Sequence, residues 1–129
     1  MRILLVDDHA LFRSGLASLL AAWGETVVGN AGNGQEALEQ ARALRPDFVF
    51  MDVNLPDMSG FEATRLIKSE MPRVRIVMLT AYDDPGYVDR ASRSGADGYI
   101  LKDMSEVRQI LDDARLASAR RLSDDELIQ

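Results

Sequence analysis

Three carboxylates, a hydroxyl and an ammonium group stand at matching places in this 129-residue chain. Asp7 and Asp8 follow the apolar run Ile3 to Val6, Asp52 follows Phe48 to Met51, Thr80 follows Ile76 to Leu79, and Lys102 follows Gly98 to Leu101. A single Asp after such a run is ordinarily a helix cap or a solvated loop residue. Five residues of these types, each directly after an apolar run, call for a common explanation. If the carboxylates share one crevice they repel: two like charges ~4 Å apart interact by roughly 4 kcal/mol at an effective dielectric of ~20. Such crowding demands a compensating cation, and a hard divalent ion fits. Magnesium prefers oxygen ligands and is held by one or two carboxylates, phosphate oxygens and water.

The elements that must bring these groups together are legible as five short β-branched or aromatic runs: Arg2 to Val6, Glu25 to Gly29, Phe48 to Met51, Val74 to Leu79 and Gly98 to Leu101. These read as strands. Between them lie segments of helical spacing. In the first, Phe12, Leu16, Leu19, Leu20 and Trp23 form one apolar stripe. Asn33 with Glu36, Ser59 with Glu62, and Asp103 with Glu106 are spaced to cap the starts of the second, third and fifth helices. Asp84 followed by Pro85 opens the fourth. Gly86, Ser92 and Ser94 give that fourth helix weak propensity, as suits a movable element. Five strand–helix units imply an α/β fold, a parallel sheet covered on both faces with right-handed crossovers. The first, third and fourth strands are nearly continuous apolar runs, as burial on both faces requires. With flavodoxin-like doubly wound topology, a (βα)5 three-layer sandwich of strand order 2-1-3-4-5, the first and third strands flank the point where the order reverses. Ligands bind there, outside the carboxyl ends of the strands.

Composition narrows the function further. The apolar runs are far shorter than the ~18 residues of a membrane span, and Asp7 and Asp8 interrupt the first before it reaches the length of a secretory leader. The expected place is the cytoplasm, with no membrane partner. Without cysteine, disulfides, thiolate metal sites and cysteine nucleophiles are excluded. A net charge of −6 opposes a direct grip on nucleic acid, which depends on basic side chains neutralising phosphates. Arg120 and Arg121, the only adjacent basic pair, read as a solvated helix end. His9, the lone histidine, reads as a first-turn residue of the first helix. The apolar pattern weakens after about Leu116.

The stretches V-D-D-H-A-L-F-R-S-G-L (Val6 to Leu16), F-M-D-V-N-L-P-D-M-S-G (Phe50 to Gly60), M-L-T-A (Met78 to Ala81) and G-A-D-G-Y-I-L-K-D (Gly95 to Asp103) resemble the receiver domain of two-component response regulators. The D-D-H-x-L-F-R-x-G-L start and the K-D ending resemble the LuxR/NarL-type branch in particular. The resemblance implies that Asp52 is the phosphoacceptor and that Asp8 is a direct Mg2+ ligand. Asp7 acts largely through a coordinated water, and the backbone carbonyl of Asn54 completes the protein ligands. Thr80 and Lys102 then bind phosphoryl oxygens, small Ala81 leaves room for the group, and Tyr99 is the switch aromatic. Asn54 and Tyr82 flank the phosphoryl site and are placed to tune the lifetime of the phosphorylated state. Many receivers carry a cis proline after the lysine. Asp103 stands there instead, and a cis bond before a non-proline residue costs about 2.5–4 kcal/mol.

The division of the chain implied by the resemblance is a receiver over 1–117 and, over 118–129, a tail or the start of a linker. Leu122 to Leu127 looks like the approach to a helix-turn-helix output domain. The partners implied are a sensor histidine kinase as phosphodonor, a second copy of the chain, and DNA only through that further domain. The alternative is a stand-alone receiver acting by protein–protein interaction. Either way the chain is no enzyme with turnover on a separate substrate; it carries out autocatalytic phosphoryl transfer and self-dephosphorylation only. Three other readings lose on specific residues. A haloacid-dehalogenase-type phosphatase needs a second acid two residues after the aspartyl nucleophile, where Asn54 stands. A flavodoxin-type electron carrier needs a Ser/Thr-rich phosphate loop where this chain has Asp7, Asp8 and His9. A receiver-like module that works without phosphate would lack at least one of the acids or the lysine, and all are present.

Overall fold

Apolar side chains at alternate positions of five short strands send two sets of residues to opposite faces of one sheet. A computed structural model, which describes residues 1–81 and 85–116, shows where each set goes. The chain runs β1 (Arg2–Val6), α1 (Ala10–Ala22), β2 (Thr26–Ala31), α2 (Gly34–Leu44), β3 (Phe48–Asp52), α3 (Gly60–Glu70), β4 (Arg75–Thr80), α4 (Pro85–Ser94) and β5 (Gly98–Leu101). A fifth helix, α5, occupies 107–116. The strands are all parallel, as the alternation of strands and helices predicts, and are ordered β2-β1-β3-β4-β5, the flavodoxin-like order expected.

Leu4, Val6, Val49, Met51, Ile76 and Met78 face one way and pack with Ala37, Leu38 and Ala41 of α2, Ala63 and Ile67 of α3, and Ala91 of α4. Ile3, Leu5, Phe48, Phe50, Val77 and Leu79 face the other way, against Leu16 and Leu20 of α1 and Val107, Leu111 and Ala114 of α5. The result is three layers. All of β3 is buried, as are β1 and β4 beyond their first residues. Each such Leu, Ile or Phe is worth roughly 1.5–3 kcal/mol of burial, so the central strands form a rigid platform for their carboxyl ends. Among the described residues no helix is long and apolar enough to cross a membrane.

Four elements depart from the sequence expectation. β2 begins at Thr26; the Glu25 N–H donates back to the Leu20 carbonyl at 3.0 Å, and its buried carboxylate meets the Met1 ammonium at 2.9 Å and Arg115 of α5. It extends to Ala31 through pairing with Val6. β4 runs Arg75–Thr80 rather than Val74 to Leu79, and β3 includes Asp52, so two of the site residues are themselves in strand register. The fifth helix does not open at Asp103. The Asp103 carboxylate instead accepts hydrogen bonds from the backbone N–H and hydroxyl of Ser105, at 3.0 and 2.8 Å, and Met104 turns left-handed with φ 68°. A local Asx turn has outcompeted the helix cap. Asn33 and Ser59 do cap α2 and α3, accepting from Glu36 N at 2.8 Å and Glu62 N at 3.1 Å. Asp84, Tyr82 and residues 117–129, with Arg120, Arg121 and the Leu122 to Leu127 stretch, lie outside the described residues.

Candidate functional site

Parallel strands all end at the same edge, and the reversal of order between β1 and β3 opens a crevice there. Val6 pairs with Met51 across that junction, so Asp7 and Asp52, one residue further on, come side by side. Both are almost fully buried, at 1% and 3% exposure. Lys102 reaches in from the end of β5, its ammonium 2.7 Å from Asp7 Oδ2 and 2.9 Å from Asp52 Oδ2. Its backbone N–H donates to the Thr80 carbonyl at 2.8 Å, which fixes the turn that aims the side chain. The ammonium also lies 5.0 Å from the centre of the Phe12 ring, an apolar wall on the α1 side.

Each carboxylate is further held by the backbone next to it. Asp7 Oδ1 accepts from His9 N at 2.8 Å and contacts the His9 ring at 3.1 Å. Arg13 of α1 donates to the Asp7 carbonyl. Asp52 Oδ1 accepts from Asn54 N at 3.1 Å. Asp8, with a side chain 39% exposed, lies at the mouth, where His9 Nδ1 is 3.2 Å from its carboxylate. One ligand atom from each of Asp7, Asp8, His9 and Asp52 lies within 4.8 Å of all the others.

The charge balance of this cluster is uneven. Burial pushes the carboxyls of Asp7 and Asp52 up. For Asp7 the Lys102 ammonium and the His9 N–H outweigh it and hold the carboxyl below its ordinary value. For Asp52 burial prevails over the bonds from Lys102 and Asn54, helped by the neighbouring Asp7 charge, and the carboxyl is raised. Burial pulls Lys102 down, but hydrogen bonds and charge from the two carboxylates override it and raise its pKa. One ammonium therefore serves two buried acids, and a third acid stands beside them. Oδ2 of Asp7 is buried, with the Lys102 ammonium 2.7 Å away. Three carboxylates, two of them buried, against one ammonium leave surplus negative charge that fits a hard divalent cation.

Thr80 is buried at the end of β4, directly opposite Leu101. Tyr99 is half-buried on β5 opposite Met78 and packs against the core that faces α2, α3 and α4. Thr80 and Tyr99 therefore share a sheet face as diagonal neighbours. Ala81 is exposed beside Thr80, and Asn54 is exposed at the start of the loop after β3. No peptide bond among the described residues is cis, Lys102–Asp103 included.

Sequence reasoning missed two supports. His9 is the residue before α1, and its ring lies against Asp7 and Asp8, instead of standing apart in the first turn; an Asp followed two residues later by a backbone N–H in reach is the signal of an Asx turn. Gly60 is the other. Its N–H donates to the Val53 carbonyl at 2.7 Å, and a Cβ at this position would run into the Asp52 carbonyl oxygen. Only glycine lets α3 start this close to the strand that carries Asp52.

The family described as response regulator receiver domain matches residues 3–114. The transcriptional regulatory protein LnrK of Bacillus subtilis is 46% identical over 106 residues, 81% of this chain and 48% of that protein. The response regulator protein VraR of Staphylococcus aureus is 40% identical over 119 residues, covering 92% and 56%. The chain thus spans about half the length of these curated relatives. Among solved structures, the signal receiver domain of the putative response regulator NarL from Mycobacterium tuberculosis superposes with a TM-score of 0.82 at 36% identity, covering 88% of this chain and 95% of that one. A LuxR-family two-component response regulator from Aurantimonas gives 0.82 at 32%, covering 98% and 97%.

Proposed function

We propose, from the premise that this chain belongs to the response regulator receiver family, that it takes a phosphoryl group from a sensor histidine kinase onto Asp52 in a magnesium-dependent reaction. The observation that supports this most is the meeting of Asp52, Asp7 and Lys102 within 2.9 Å contacts, with Asp8 beside them, where the strand order reverses.

Asp7, Asp8, Asp52 and the backbone carbonyl of Asn54 would hold Mg2+, which supplies positive charge to the phosphoryl oxygens. An Asp52 carboxylate oxygen attacks phosphorus in line with the donor's leaving group. A P–O bond forms, and the bond to the histidine nitrogen, or to the oxygen of a small phosphodonor, breaks with its electron pair leaving on the donor. Lys102 exchanges its contact with Asp52 Oδ2 for a phosphoryl oxygen, neutralising charge that develops there. The Thr80 hydroxyl turns to another phosphoryl oxygen, and exposed Ala81 presents no bulk against the group. Catalysis of this kind is positioning and electrostatics. Hydrolysis of the acyl phosphate by water later returns Asp52, so the protein turns over only itself.

The output follows from the shared sheet face of Thr80 and Tyr99: movement of Thr80 vacates space into which Tyr99 turns, altering the α4–β5 surface. A ligand shifts such a switch only by favouring one state, and here the phosphoryl group favours the inward one. Residues 1–117 would form the phosphorylated unit. Residues 118–129 would form a tail or linker to a DNA-binding output, in keeping with a relative named as a transcriptional regulatory protein and about twice as long. The site of action would be the cytoplasm, with a second copy of the chain as a further partner.

The test is stoichiometric phosphorylation by acetyl phosphate. Wild type is expected to take up one phosphoryl group with magnesium and almost none in EDTA, while Asp52→Asn takes up none in either. Equal labelling of the variant would overturn the assignment.

A further inference from the structure

The seven residues 53–59 between Asp52 and α3 contain a carboxylate, Asp57, that the phosphoryl chemistry does not use. Their loop is closed at its base: the Gly60 N–H meets the Val53 carbonyl at 2.7 Å, and Asn54 and Ser59 form an antiparallel bridge. Its tip is tied to another element. Asp57 Oδ1 accepts from Gly34 N at 2.7 Å and Oδ2 from Gln35 N at 2.9 Å, both at the start of α2. Met58 lies against Gly34 so closely that a Cβ there would overlap it. The hydrogen bonds from Gly34 and Gln35 hold the Asp57 carboxyl below its ordinary value despite some burial.

Helix capping alone does not account for this. α2 already carries a local cap, Asn33 accepting from Glu36 N, and the Glu36 carboxylate returns to Gly32 N at 2.9 Å. This cap leaves over the N–H groups of buried Gly34 and exposed Gln35, which nearby side chains or water ordinarily serve. Instead they bind a carboxylate more than twenty residues further along the chain, with both oxygens engaged. The backbone between Asn54 and Asp57 is thereby pinned at both ends, and Asn54 itself bonds Asp52 Oδ1 through its N–H.

We propose that Asp57 is a positioning residue for the cation site: by gripping the start of α2 it fixes the β3–α3 loop, and with it the Asn54 backbone. This rests on the reading above in which the Asn54 carbonyl helps hold magnesium. Groups that orient metal ligands from outside typically change affinity 10–100-fold when removed. Asp57 acts one step further out, so a loss of about 3–10-fold is expected. Coupling is reciprocal, so magnesium should in turn slow amide exchange at Gly34 and Gln35.

The experiment is calorimetric titration of the full chain with magnesium chloride, together with amide hydrogen exchange. Asp57→Ala should bind magnesium about 3–10-fold more weakly, and Asp57→Asn, which keeps one acceptor oxygen, should recover part of the loss. Asn33→Ala removes the other cap of the same helix without touching the loop. It should leave magnesium affinity within about twofold of wild type even though it also loosens α2. Wild-type affinity in Asp57→Ala, or an equal loss in Asn33→Ala, would reduce Asp57 to a helix cap and overturn this inference alone. Failure of the wild type to bind magnesium would overturn the proposed function and this inference with it.

Discussion

Replacing Asp8 by Asn removes one negative charge from the mouth of the crevice while leaving the side chain's size nearly unchanged. Lys102 lies against Asp7 and Asp52, whereas the partner found for Asp8 among the described residues is the His9 ring and not a lysine or arginine. Asp8 therefore contributes mainly repulsion. With carboxylate oxygens up to 4.8 Å apart, each of its two repulsions is worth roughly 0.9 kcal/mol at a dielectric of ~80 and roughly 3.5 kcal/mol at ~20. The 39% exposure of its side chain puts the effective dielectric towards the upper end, and the side chain can swing outwards. A net gain of about 1–2 kcal/mol is expected for Asp8→Asn in EDTA, equivalent to about 3–10 °C in Tm for a domain of this size. The gain should shrink at high salt, since part of it crosses solvent. Magnesium should reverse the ranking: wild type gains stability by mass action as the ion fills its site, and the variant gains little. Urea and thermal unfolding of both proteins, each with EDTA and with saturating magnesium, read all four values. A variant no more stable than wild type in EDTA, or one that gains as much from magnesium, would refute the electrostatic account of the site.

The opposed pKa directions at Asp52 and Asp7 give a pH prediction. A carboxyl raised in the folded state stabilises the fold at low pH and loses that contribution as pH rises through its folded value. One lowered by partners does the reverse, stabilising above its unfolded value and losing this as pH falls through its folded value. Urea midpoints in EDTA should therefore decline from the ordinary carboxylate range upwards through the raised Asp52 value, and Asp52→Asn should abolish that decline; a decline that persists in the variant would assign it elsewhere. Gly60→Ala forces a Cβ against the Asp52 carbonyl and should cost about 1–3 kcal/mol by urea unfolding, with phosphorylation slowed beyond what the lost stability accounts for; a neutral effect on both would contradict the close approach. In Thr80→Ala, beryllofluoride should still bind in the presence of magnesium, with smaller NMR shift changes at Tyr99 and along α4 than in wild type. A full-sized response would break the proposed link between the two residues.

The parallel sheet and the meeting of Asp7, Asp52 and Lys102 at one edge were legible because each follows an apolar run that reads as a buried strand, while the strand order rested on likeness to flavodoxin-like topology. What the sequence hid are contacts whose partners lie far apart in the chain or compete locally. Asp103 reads as a cap because of Glu106, yet the nearer Ser105 hydroxyl and N–H win it. Glu25 reads as a strand residue, yet its N–H turns back to the Leu20 carbonyl and its carboxylate meets the Met1 ammonium and Arg115. Asp57 stands in the quoted motif without a role of its own, since nothing in Leu55 to Ser59 announces that its carboxylate is bound by the start of α2. Gly60 is the instructive case: its place in the motif is visible in the sequence, but the reason is the Asp52 carbonyl, which only three dimensions put beside it.

All of the proposed chemistry turns on the phosphoryl group residing on the Asp52 carboxylate. An acyl phosphate is reduced by borohydride to the alcohol, which turns a phosphorylated aspartate into homoserine and marks the position permanently. After reaction with acetyl phosphate and magnesium, borohydride treatment and peptide mass spectrometry should find homoserine at position 52, and at neither Asp7 nor Asp8. The mark should be absent when magnesium is withheld. Homoserine at Asp7 or Asp8 in place of Asp52, or phosphate retained on a hydroxyl that borohydride leaves untouched, would contradict the account.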